Sequence, residues 1–78
     1  MKQSTIKQIN EHLEKARKKH PVFSCVLTET VSIAAEELGE FAQAINDYNL
    51  TGKNKNLQKA QSEALDLIAV LIRFIERD

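Results

Sequence analysis

Residues that stop a helix occur at only two points in this chain, and that limits its fold more than any other feature. The one Pro is Pro21, and Gly52 follows Asn49 at the end of a long helical pattern; the only other Gly, Gly39, lies inside that pattern. Pro cannot continue a helix and Gly weakens one, so three helical segments are expected, giving an all-α fold. Ser4 or Thr5 is expected to cap the first, whose apolar residues Ile6, Ile9, Leu13 and Ala16 recur at three- and four-residue steps until Pro21 ends it near His20.

The segment Val22 to Ile33 is rich in β-formers, among them Val22, Phe23, Val26, Thr28, Thr30 and Val31. No second strand exists to pair with it, and a lone strand would leave its backbone groups unsatisfied. A second helix is therefore expected from about Ser24 to Tyr48, with Leu27, Ala34, Leu38, Phe41 and Ile45 as its main apolar stripe and Val31 and Tyr48 at the margins. The polar loop Thr51 to Asn56 should turn the chain back into an antiparallel third helix, about Leu57 to Glu76, capped by Asn54 or Asn56. Its apolar residues from Leu65 to Ile75 surround it on nearly all sides. Two partner helices cover only part of such a surface, so a homodimer or homotetramer that completes a four-helix bundle is expected.

At 78 residues the chain reads as a single domain, 1–78, near the size at which one core barely offsets the entropy of ordering. Its formal net charge of +0 gives no general attraction to nucleic acid or to an anionic membrane. The basic run Lys15 to His20 has no interleaved aromatic residue and reads as a solvated helix end. A lone Cys25, expected to be a small buried apolar residue, permits no internal disulfide; with no signal-peptide core and no bilayer-length apolar run, the expected location is cytoplasmic.

Charge is unevenly placed. Residues 21–52 carry Glu29, Glu36, Glu37, Glu40 and Asp47 without one basic residue, while lysines lie on both sides. Glu37 with Glu40, and Glu63 with Asp66, each stand three apart on an expected helix and project from one face. Their neighbours are apolar: Ile33 and Phe41 lie one turn from Glu37, and Glu63 shares a face with Ala60, Leu67, Val70 and Phe74. Counted from a turn near Gly52 and Lys53, Glu40 and Glu63 fall at similar heights, roughly 15 Å along their axes, so the two pairs can face each other as a four-carboxylate cage. Burying carboxylates requires a counter-charge. Oxygen donors without His or Cys suit Mg²⁺ or Mn²⁺ better than zinc or a ferritin-type iron pair, and Mg²⁺ commonly takes further ligands from phosphates. The alternative is that the acids face solvent or bridge to first-helix lysines.

The segment Ala35-Glu36-Glu37-Leu38-Gly39-Glu40-Phe41-Ala42-Gln43-Ala44, followed by Glu63-Ala64-Leu65-Asp66-Leu67-Ile68-Ala69-Val70-Leu71, resembles the MazG-like all-α nucleoside triphosphate pyrophosphohydrolases, whose signature is ExxE, an intervening segment, then ExxD. The resemblance covers Ala34 to Ile75. It implies that Glu37, Glu40, Glu63 and Asp66 ligate Mg²⁺, and that a nucleoside triphosphate is hydrolysed to a monophosphate and pyrophosphate. Glu36 or Glu40 would position the water as base. Lys53, Lys55 and Lys59 are candidates for the outer phosphates, and Gly39 for a close approach of helix or ligand. His20, Phe23 and Tyr48 are possible base-stacking or gating residues, with core packing as the alternative. Asn46-Asp47-Tyr48 stands where the family usually has a lysine after its first motif, and larger relatives carry a further basic helix. Those contacts would have to come from another subunit, or the activity be weaker. Phosphoribosyl-ATP pyrophosphohydrolase is the enzymatic rival, and a non-catalytic helical dimerisation or regulatory module the rival of another class.

Overall fold

The computed structural model describes residues 1–23 and 27–76, and every regular element among them is an α-helix: α1 (Gln3–Lys19), α2 (Leu27–Thr51) and α3 (Asn54–Glu76). The expected helix start at Ser24 and the expected burial of Cys25 lie outside the described residues. Among the described residues no helix is long and apolar enough to cross a membrane.

The helix limits differ from those expected, each for a local reason. Neither Ser4 nor Thr5 caps α1. Lys2 holds the N-cap position in an extended conformation, without a side-chain cap, and its carbonyl accepts the Ile6 N–H at 3.1 Å. The other free N–H groups of that exposed end can bond to water. At the far end, the His20 N–H donates to the Ala16 carbonyl at 2.9 Å just before Pro21.

Between α2 and α3 only Gly52 and Lys53 lie outside the helices, so α2 runs three residues beyond Tyr48 and α3 starts three before Leu57. Gly52 takes a left-handed φ of 65° while its N–H donates to Tyr48 O at 2.7 Å, an arrangement that ends a helix abruptly. Thr51 then uses its whole hydroxyl: Oγ1 donates to Asp47 O (2.8 Å) and accepts from the Lys53 N–H (3.2 Å) and the Asn56 side-chain amide (2.8 Å). Asn56 thus ties the two helices together, and a six-residue loop becomes a two-residue turn.

α3 packs against both other helices, whereas α1 and α2 do not approach one another. The result is a trough with α3 as its floor. The pairings of His12 with Asp66 and of Arg17 with Glu76 show that α1 runs parallel to α3, and α2 is antiparallel to both. Small residues allow close helix packing here: Ala44, Ala60 and Ala69 are fully buried and Leu13 nearly so, and no large side chain among the described residues is buried completely. Arg73 is also buried, at 3% exposure; its Nη1 donates to Ala16 O (3.2 Å) and its guanidinium lies 5.1 Å from the centre of the Phe23 ring.

The face that α2 turns to α3 is only partly the expected stripe: Ala34, Phe41, Ile45 and Tyr48 are sheltered, but Leu27, Leu38 and Val31 are not. Thr30, Ala34, Glu37, Phe41, Ala44 and Tyr48, at alternating four- and three-residue steps, form the sheltered line, with Ile45 and Asp47 beside it. Leu27, Val31 and Leu38 are instead 62%, 68% and 53% exposed. Helical geometry places them about a quarter-turn round, on the outside of the trough. Ile68, Leu71 and Ile75 of α3 are exposed as well and lie on the side of that helix turned away from the trough. An apolar outer face therefore spans α2 and α3.

Candidate metal centre

Glu37 occupies a position on α2 that an apolar residue would ordinarily fill, between Ala34 and Phe41 on the stripe facing α3. Glu63 and Asp66 stand one turn apart on α3 and meet it there. Glu37, Glu63 and Asp66 each offer one carboxylate oxygen, and these oxygens lie within 4.8 Å of one another. All three residues are half-buried. The Oε2 atoms of Glu37 and Glu63 are buried without a hydrogen-bond partner.

Three carboxylates at this separation repel, and Glu37 and Glu63 hold their protons more tightly than usual. Burial raises the Glu37 carboxyl above its ordinary range, the charges of Glu40, Asp66 and Glu36 push it further, and Lys19 acts in the opposite direction. Glu63 is pushed up to about 7, first by burial, then by its hydrogen bond with Glu40 and by the charges of Glu40, Asp66 and Glu37. Glu40 itself is exposed; it stands beside Glu63 but outside the trio of converging oxygens. Glu36 is exposed on the same wall.

Glu37 and Asp66 of the trio line a cleft of about 900 Å³ that follows the trough, while Glu63 lies outside the lining. Glu29, Ile33, Glu36, Glu37 and Glu40 line its α2 wall, and Asp66, Ala69, Val70 and Arg73 its floor. On the α1 wall are His12, Lys15, Ala16, Lys19 and His20, and Val22 and Phe23 just beyond α1 also line it. His20 and Phe23 thus face the cleft, whereas Tyr48 does not line it. Lys53, Lys55 and Lys59 are exposed at the α2–α3 turn and the start of α3, outside the lining. A Cβ built on Gly39 meets nothing within 4 Å, so no described helix makes the close approach expected there.

Sequence reasoning passed over His12 and read Lys15 and Lys19 as part of a solvated helix end. His12 Nδ1 donates to Asp66 Oδ1 at 2.7 Å, fixing the orientation of one carboxylate of the trio from a helix 54 residues away. The signal was present: His12, Lys15 and Lys19 follow a three-then-four spacing that puts them on one face of α1, and His12 is three residues after Ile9 and four before Ala16. The chain matches no family model, no curated protein and no solved structure.

Proposed function

We propose that the trio holds Mg²⁺, with Mn²⁺ as a substitute, and that the chain is a MazG-like hydrolase cleaving nucleoside triphosphates to a monophosphate and pyrophosphate. The supporting observation is the convergence of the Glu37, Glu63 and Asp66 oxygens within 4.8 Å, two of the three residues having an oxygen buried without a donor. A hard, oxygen-only set of this kind fits such a cation, and a double positive charge would relieve the repulsion among the acids. Bound metal would supply a more acidic water and offset the charge that develops on the phosphates.

The protein's own residues divide the remaining work. His12 holds Asp66 in place. Glu40, exposed on the cleft and beside Glu63, is placed to accept a proton from attacking water, and Glu36 on the same wall is the second candidate. The outer face of Leu27, Val31, Leu38, Ile68, Leu71 and Ile75 would be covered by a second copy of the chain. That same face favours the second reading, a helical dimerisation module without catalysis.

Calorimetric titration with Mn²⁺ and a non-hydrolysable nucleoside triphosphate separates the two. Outer-shell changes alone weaken metal sites by about tenfold or more. Glu37→Gln and Asp66→Asn should therefore each lower affinity at least that much; traces indistinguishable from wild type would leave only the module. Pyrophosphate release across common and modified nucleotides and phosphoribosyl-ATP would then identify the substrate.

A further inference from the structure

We infer that α1 supplies the anion-binding wall of the cleft, with Lys15 and Lys19 holding the polyphosphate of a metal-chelated ligand in place of the lysines at the α2–α3 turn. The inference rests on the function proposed above and adds where its substrate lies. His12 fixes the height of α1 against Asp66, and Lys15 and Lys19 follow on the same face, about 5 and 10 Å further along the axis at 1.5 Å per residue. A chain of phosphates leaving the carboxylate trio along the cleft would pass them in turn.

Three further observations favour this wall. The α2 side carries Glu29, Glu36 and Glu40, so a polyanion is repelled from it towards α1. Lys15 and Lys19 make no ion pair with any described residue, whereas Lys7 is paired with Glu11 and Arg17 with Glu76. Both line an open volume of about 900 Å³, within the size range of small-molecule sites, where Lys19 already acts on the Glu37 charge. Lys53, Lys55 and Lys59 have no such placement.

The test is calorimetric titration of the full chain with inorganic tripolyphosphate, with and without Mn²⁺. Wild type is compared with Lys15→Gln/Lys19→Gln, with Lys15→Arg/Lys19→Arg and with Lys53→Gln/Lys55→Gln/Lys59→Gln, each checked for folding by circular dichroism. The glutamine pair on α1 should lose about tenfold or more in affinity, as expected for charge-assisted contacts, while the arginine pair retains it. Undiminished binding by the glutamine pair, an equal loss in the turn variant, or no tripolyphosphate binding by wild type would overturn the inference. Mn²⁺ binding that persists while the α1 lysines prove irrelevant would overturn this inference alone. Tripolyphosphate held by those lysines without regard to Mn²⁺ would support the wall and overturn the metal centre.

Discussion

Glu63 is the side chain whose chemistry the fold changes most. With its folded pKa near 7 against an ordinary 4.5, the folded chain retains a proton that the unfolded chain releases between those values. Stability therefore falls as pH rises through that window, and the Glu37 shift has the same sign. In EDTA, the thermal midpoint should drop between about pH 4.5 and pH 7, a slope that Glu63→Gln should flatten while raising the midpoint above pH 7. A midpoint that rises with pH would contradict this account of the trio. Glu37, Glu63 and Asp66 were legible in the sequence from their apolar neighbours and matching heights on two antiparallel helices, whereas Glu40, with the same three-residue spacing, is exposed. His12 was harder to read, since its partner is brought to it by tertiary packing.

At the scale of the element, the two glycines should respond in opposite directions to the same change. Gly52 ends α2 with φ at 65°, and although a Cβ would meet nothing within 4 Å, an L-residue there is strained by its own backbone. Gly52→Ala should cost about 1 kcal/mol. Gly39 lies within α2 with open space around it, so Gly39→Ala should stabilise by roughly 0.5–1 kcal/mol, both being read by urea denaturation. Helix number and order were legible because the sequence offers so few breakers. The ends were not, because Thr51 and Asn56 compress the turn through side-chain bonds that propensity does not encode. The packed stripe of α2 was read in part: Ala34, Phe41 and Ile45 are sheltered, but alanines permit close approach, so Ala44 is buried while Leu27 and Leu38 are displaced outward.

For the whole molecule, the outer apolar face carries the prediction. One copy leaves Leu38 and Leu71 exposed on adjacent helices, an arrangement suited to burial against a second copy. Leu38→Asp/Leu71→Asp should shift the mass in sedimentation equilibrium from oligomer to monomer; a wild-type chain already monomeric would remove that role from the face. The trough has a separate implication, because nothing packs α1 against α2. The first helix is held by α3 alone, through buried Leu13, the Arg73 bond to Ala16 O and the ties of His12 to Asp66 and Arg17 to Glu76. The spacing between the two walls is thus set by one seam, the seat of α1 on α3, and not by any meeting of the walls themselves.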